Sequence, residues 1–578
     1  MDWSDEQKEV LNLEKQGTFV VKACPGSGKT TCISERIYRM LHSWDNNHSG
    51  IALLSFTNVA KDEVINRFNS EHTEVNINYP HYFGTLDSFI NKFIFLPYGH
   101  LVMGCKKRPE LVGSPFSYWS GNSDEENYFD KISFNKNGKC IDKDKIKFHP
   151  DADWKWRKII RKKKELNKKG YATQKDAIYY SMKVLEKFQN IAKSLAIRFP
   201  YFIIDEAQDS NENHMAILEL LIKNGLNNCI LVGDPEQGIY EWNRADPLLL
   251  NQKFETWDSS IEFKTNYRSS QNICNFFSKL SSLNNITSDV NFKENDKPVI
   301  KKYDKNYNDI IDDFIETCKS NNIEITKDSV AILFRGEKEV QKVLGFKNNY
   351  SIHNVFRGND YFKTSYTKNI LLGKFFELNK DYLRCFQEFE KAYIKLKNNS
   401  TDSINTTIKS EIEQNGLLNH RQNVFDFMNK FPKVSNNQNI NDWIENINNN
   451  LDNSQNELNL ITERKNNIPL YKNLTFRMLD IGENITENNL DYDVKTIHKV
   501  KGKSYEAVLL ILKNKGIDNK HYKTMLDEGI SLMNSEELRI VYVGMTRAKK
   551  LLWIAVPKKS INSWENKFKY GTIQQTLI

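Results

Sequence analysis

Short apolar runs punctuate this chain, separated by long charged stretches: Thr18–Ala23, Ile51–Ser55, Phe202–Ile204, Ile230–Val232, Val330–Leu333, Val508–Leu512 and Leu552–Val556. Runs of this length without polar alternation predict strands buried on both faces of a parallel sheet. The first is followed by a glycine-containing loop and then, from Thr30, by Ile33, Ile37 and Leu41 at helical spacing, which predicts an amphipathic helix. Strands alternating with helices predict a doubly wound α/β class. Because the runs fall in two groups, the economical layout is two α/β cores, with parallel sheets covered by helices on both faces, each core interrupted by a mainly helical insertion. The expected boundaries are 1–90 and 199–265 for the first core, 91–198 for its insertion, 266–348 and 492–578 for the second core, and 349–491 for the second insertion.

Length supports this division, since 578 residues at roughly 100–200 per domain allow three or four domains. A net charge of +8 suits a polyanionic partner, or equally an excess of surface lysine. Its densest basic stretch, Lys155 to Lys169 beside Trp154 and Trp156, reads either as a nucleic-acid track or as the solvated face of a helix. The asparagine tracts, such as Asn448-Asn449-Asn450, read as biased composition and loops. The eight cysteines include no C-x-x-C pair, so zinc and iron–sulfur sites lack their usual spacing and free thiols in a reducing cytosol are expected. Neither a signal-like amino terminus nor a run of about 18 apolar residues is present, so a cytoplasmic protein without membrane contact is expected.

Two segments carry chemistry directly. Ala23-Cys24-Pro25-Gly26-Ser27-Gly28-Lys29-Thr30-Thr31 follows a predicted strand and opens a predicted helix. In that setting backbone N–H groups and the helix N-terminus face an anion, Lys29 neutralises the β- and γ-phosphates of a nucleotide, and the Thr30 hydroxyl binds Mg²⁺. Ala23 stands where the general phosphate-loop pattern has glycine. The run Phe202-Ile203-Ile204 ends in Asp205-Glu206, which places Asp205 for Mg²⁺ and Glu206 for an attacking water. ATP and Mg²⁺ are the ligands these two segments imply together.

With further segments in order along nearly the whole chain, the sequence resembles the UvrD, Rep and PcrA group of superfamily 1 helicases, which implies two RecA-like cores with ATP between them. By that resemblance Gln7 reads adenine. Ser55-Phe56-Thr57-Asn58 and Phe83-Gly84-Thr85 resemble elements that contact the strand through Phe56, Thr57, Asn58 and Thr85, with Asp87 in place of a frequent histidine. Val232 to Trp242 is similar to the coupling motif, where Gln237 senses the γ-phosphate and Tyr240 and Trp242 stack on bases; on spacing alone, the two aromatics read first as core packing. Arg244 follows after Asn243, where the family has an arginine directly after the tryptophan. Asn266-Tyr267-Arg268-Ser269 implies adenine stacking by Tyr267 and a γ-phosphate contact by Arg268, and Val543 to Lys549 implies a second arginine finger, Arg547. Thr496 to Gly502 resembles the segment linking nucleotide to strand, with His498 on the strand and Ser504 where the family has an acid.

The resemblance implies an ATP-dependent single-stranded DNA translocase or helicase moving 3′ to 5′ on a tailed duplex. The chain ends about 30 residues after Arg547, so no fused nuclease domain is expected. Short members of the GajB type stand beside nuclease subunits in anti-phage systems. The alternative is therefore a DNA-sensing ATPase subunit that regulates a partner nuclease. RNA as the track stays open, since stacking and phosphate contacts do not read the 2′-hydroxyl.

Overall fold

The apolar runs form two parallel sheets. The computed structural model describes residues 3–13, 16–72, 79–112, 128–129, 131–142, 153–241, 244–283, 285–290, 297–303, 307–344, 350–351, 361–398, 404–450, 458, 460, 474–476, 479–480, 490–516 and 521–573. The first sheet contains β1 (Gly17–Ala23), β2 (Ile51–Ser55), β3 (Tyr82–Thr85), β4 (Tyr201–Ile204), β5 (Asn228–Gly233) and β6 (Ser259–Phe263), in the order β6-β1-β5-β4-β2-β3 with every neighbour parallel. Successive residues bury on opposite faces. Val20, Leu54, Phe202 and Leu231 enter one apolar cluster, while Phe19, Val21, Leu53, Ile203 and Ile230 enter another. Both faces being covered is why these strands read as continuous apolar runs.

Helix α1 (Asp5–Leu11), α2 (Lys29–His42) and α3 (Asn58–Glu71) cover one face through Val10, Ile33, Ile37, Val64 and Phe68. Of the segment between β3 and β4, α4 (Asp153–Lys168) stays outside the sheet's apolar clusters. By contrast α5 (Gln174–Lys187) presses Ile178, Met182 and Leu185 onto the other face, beside α6 (Glu212–Lys223) with Ile217 and Leu218.

The second sheet holds β7 (Val299–Tyr303), β8 (Val330–Phe334), β9 (Asp493–Thr496), β10 (Tyr505–Ile511) and β11 (Ala548–Pro557), ordered β7-β11-β10-β8-β9 and again all parallel. The four strands that no apolar run announces, β3, β6, β7 and β9, are the four sheet edges. Edges keep partial exposure and polar residues, as in Ser259-Ser260-Ile261-Glu262-Phe263, so they leave no continuous apolar run.

The chain divides into two compact units. One holds 1–113, 128–343 and 490–578 and so contains both sheets, while the other holds 114–127 and 344–489. Within the second unit, α7 (Tyr361–Leu378), α8 (Tyr382–Asn398), α9 (Leu417–Met428) and α10 (Ile440–Asn449) bury Tyr366, Phe375, Phe389, Phe427 and Trp443 in a core of their own. No described helix is long and apolar enough to cross a membrane.

Candidate active site

Strands β1, β4 and β5 are neighbours, so their carboxyl ends bring Ala23, Ile204 and Gly233 side by side, the usual place for a ligand in an open α/β sheet. From Ala23 the chain turns through Gly26 (φ 70°) and Gly28 (φ 75°) into α2, whose first turn has no side-chain cap. Left-handed backbone favours glycine at both points. A Cβ at Gly26 would also lie 2.7 Å from the Arg268 Cβ, because the segment from the second core rests directly on the loop. Asn266 Nδ2 donates to the Pro25 carbonyl at 2.6 Å, and the Tyr267 N–H donates to the Gly26 carbonyl at 2.8 Å. Gln7 donates through Nε2 to the Ser27 carbonyl at 3.0 Å, and Gln7 and Tyr267 both face Gly28. Thr31 accepts a hydrogen bond from Arg67.

Opposite the loop, Lys29 Nζ donates to Glu206 Oε1 at 3.0 Å. Glu206 has left-handed backbone (φ 57°), a strained state for a non-glycine residue that functional sites tolerate. Its other oxygen accepts from Gln208 Nε2 at 2.6 Å, and Lys501 Nζ lies 3.5 Å from it. Burial favours the neutral acid, but Lys29 and Lys501 overcome it and hold Glu206 well below the usual carboxylate range. Asp205 moves the other way, pushed up to about 7 by burial and then by the Glu206 charge.

The polar cluster continues into the second core. Gln208 Oε1 accepts from the Asp234 N–H at 3.1 Å, Asp234 Oδ2 accepts from Gln237 Nε2 at 2.7 Å, and Gln237 Oε1 accepts from Arg547 Nη2 at 2.8 Å. Arg547 is lowered to about 9 by burial and by the neighbouring Arg268, which burial lowers too. A buried guanidinium, Arg547, disfavoured by the charge of the half-buried Arg268 beside it, fits a multiply charged anion between the two. With the uncapped α2 terminus and Lys29, they suit a nucleoside triphosphate. A threonine hydroxyl and a carboxylate, Thr30 and Asp205, are hard oxygen donors of the kind Mg²⁺ takes.

The residues expected on the strand are more dispersed. The hydroxyls of Thr57 and Thr85 cap helices, accepting from the Ala60 and Ser88 N–H groups, each at 3.1 Å. The Phe56 ring meets His214 edge-on at 5.4 Å, and His214 Nε2 lies 3.2 Å from Asp87 Oδ1. Tyr240 lies 6.3 Å from His498, ring to ring, and the His498 imidazole is pushed down to about 4 by burial and by Arg335. Arg244 pairs with Asp142 at 2.5 Å. Trp242 and Asn243 lie outside the described residues, as does the side chain of Asn58.

Residues 3–258 match the family described as UvrD/REP helicase N-terminal domain, and residues 373–559 match UvrD-like helicase C-terminal domain. The chain belongs to the UvrD-like superfamily 1 helicases. Among curated relatives of this helicase family, the chain is 27% identical over 448 residues to ATP-dependent DNA helicase Rep of Buchnera aphidicola, covering 65% of each protein. It is 36% identical over 104 residues to the exonuclease/helicase subunit RexA of Streptococcus pneumoniae, 17% of this chain and 8% of that one. To an ATP-dependent helicase/nuclease subunit of Lactococcus lactis it is 30% identical over 183 residues, 29% and 14% of the two chains. The match thus spans just under two thirds of Rep and a small part of the other two relatives.

Two side chains of this family member went unassigned in the sequence. Lys501 donates to Asp209 Oδ2 at 2.7 Å, approaches Glu206 and lies 4.7 Å over the Tyr240 ring, so it joins the acidic cluster to Tyr240. Arg539 is fully buried on α11 (Glu536–Met545), donating to the Gly238 carbonyl at 2.6 Å and pairing with Glu241, so the helix leading to Arg547 grips the segment that carries Gln237 and Tyr240. Lys501 at least lies in a recognised segment, Thr496 to Gly502, whereas Arg539 precedes the segment Val543 to Lys549 and carried no signal. Glu506, the acid nearest Ser504, pairs instead with Lys549 and Lys550 at 3.3 and 2.7 Å.

Proposed function

We propose that this chain is an ATP-driven motor that moves 3′ to 5′ along single-stranded DNA and opens tailed duplex, working in the cytoplasm. One observation carries the reading: residues of both cores meet beside the glycine loop, with Arg268 against Gly26, Lys29 3.0 Å from Glu206 and Arg547 2.8 Å from Gln237. Gln7 and Tyr267 hold the adenine, and the backbone from Ala23 to Thr31 together with Lys29 holds the phosphates. Glu206, kept ionised by its lysines, orients the attacking water and accepts its proton. Mg²⁺ on Thr30 and Asp205 neutralises phosphoryl charge when bound. Arg268 and Arg547 spread the charge that develops across the cleft, so hydrolysis and closure are linked through Gln237. Closure then shifts a strand held by Phe56, Thr57, Asn58, Thr85, Tyr240, Trp242, Arg244 and His498. The test is steady-state ATP hydrolysis with and without single-stranded DNA, beside Lys29→Ala. Stimulation that the substitution abolishes supports the motor, and hydrolysis indifferent to DNA sinks it.

A second reading, a DNA-sensing ATPase that regulates a partner nuclease in anti-phage defence, is favoured by the alignment with proteins named as helicase and nuclease subunits. Processive unwinding of a tailed duplex by the isolated chain would end it.

A further inference from the structure

The basic stretch left open by the sequence takes a definite orientation as α4. Ile159, Lys163 and Leu166 are buried on one side, and Lys163 Nζ donates to Asp176 Oδ2 at 2.8 Å and to the Phe129 carbonyl at 2.9 Å. This internal ion pair fixes the helix about its own axis. The opposite side exposes Arg157, Lys158, Arg161, Lys164 and Lys168, with Glu165 as its one acid, 3.8 Å from Arg161. Arg157 lies eleven residue steps from Lys168, about 17 Å at 1.5 Å per residue. At the amino-terminal end of the same face Trp154 is 66% exposed, a large apolar ring in water at the head of a row of cations.

We propose that this outward face of α4 is a second nucleic-acid site, taking the phosphates of a single strand outside the path between the sheets. The row of cations supplies charge along a backbone, and the ring offers a platform for an unpaired base. A duplex keeps its base faces stacked inside and has none to offer Trp154, which favours a single strand. None of the side chains assigned to the strand path lies on α4. On a fork opened by the proposed motor, the matching ligand is the displaced arm. The proposal rests on that reading for the origin of the arm, but not for its binding.

The experiment compares the full chain with R157E/R161E/K164E/K168E, with its glutamine counterpart R157Q/R161Q/K164Q/K168Q, and with W154A. Anisotropy is measured over a KCl series on a labelled 3′-tailed duplex and on the same duplex with an added 5′ single-stranded arm. Oligo(dT)-stimulated ATP hydrolysis is followed in parallel, and circular dichroism checks folding. The expected result is that the wild type prefers the forked DNA by at least tenfold at low salt and that both quadruple variants lose the preference. Removing four phosphate contacts should also reduce the salt slope on the fork by about 3. W154A should weaken fork binding roughly tenfold, and oligo(dT)-stimulated hydrolysis should persist in all variants. A wild type without fork preference, or a folded glutamine variant that keeps the preference and the slope, overturns the second site. Fork preference that depends on α4 in a chain whose ATPase ignores DNA supports the second site while overturning the motor.

Discussion

The cleft around Lys29 and the edge that carries Thr57, Thr85, Arg244 and His498 both lie beyond the carboxyl ends of parallel strands, yet they are organised differently. In the cleft, Lys29, Glu206, Gln208, Asp234, Gln237 and Arg547 form one connected chain of hydrogen bonds through the buried interior. At the edge each side chain is engaged locally: Thr57 and Thr85 cap helices, Arg244 is paired with Asp142, and His498 is neutral beside Tyr240. The difference teaches that buried charge must be arranged in advance, because an unpaired ion in low dielectric is costly, whereas a surface that stacks any base and holds any phosphate tolerates loose placement.

Breaking the cleft should therefore cost most. Arg547→Ala is expected to lower DNA-stimulated ATP turnover by about 10³-fold, measured at saturating DNA; a loss below tenfold would remove Arg547 from charge stabilisation. Arg539→Met keeps length but strips the donors from the Gly238 carbonyl and from Glu241. Loss of that buried cation should cost about 3 kcal/mol of unfolding free energy in urea.

Acid should act on the edge through His498, whose folded value of about 4 lies below its ordinary 6.5. The unfolded chain binds the proton first, so its stabilising contribution is complete above about pH 6.5 and is lost as pH falls towards 4, by up to roughly 3 kcal/mol. The groups facing it are Arg335, Glu537 and Lys501. His498→Gln should flatten that part of the pH–stability curve, and an unchanged curve would show that His498 does not supply the acid sensitivity.

Lys501→Ala cuts a side chain that touches both regions, and DNA-stimulated turnover should fall about tenfold, near 1.4 kcal/mol. Smallest of all, Thr57→Ala should cost about 1 kcal/mol as a lost helix cap, with Thr57→Ser restoring it.

Much of this architecture was legible because it is written in local patterns. Central strands such as Ile51–Ser55 and Val330–Phe334 are buried on both faces and so declare themselves as apolar runs. The edges β3, β6, β7 and β9 keep polar residues and were silent. In the site, Gly26, Gly28 and Lys29 stood out as a short local pattern, and the left-handed backbone found at Gly26 and Gly28 is a requirement that such a pattern can record. Lys501 was not, since its partners Asp209 and Glu206 lie almost three hundred residues away along the chain.

What the sequence determined by itself was therefore the α/β class and the family, both carried by short runs of neighbouring residues. Tertiary structure alone decided that Arg547 would meet Gln237, that Arg539 would grip the Gly238 backbone, and that the basic stretch of α4 would face water with Lys163 turned inward. Those outcomes depend on how the elements pack, and a lysine in a charged run carries no local sign of whether its neighbour in space will be solvent or a buried aspartate.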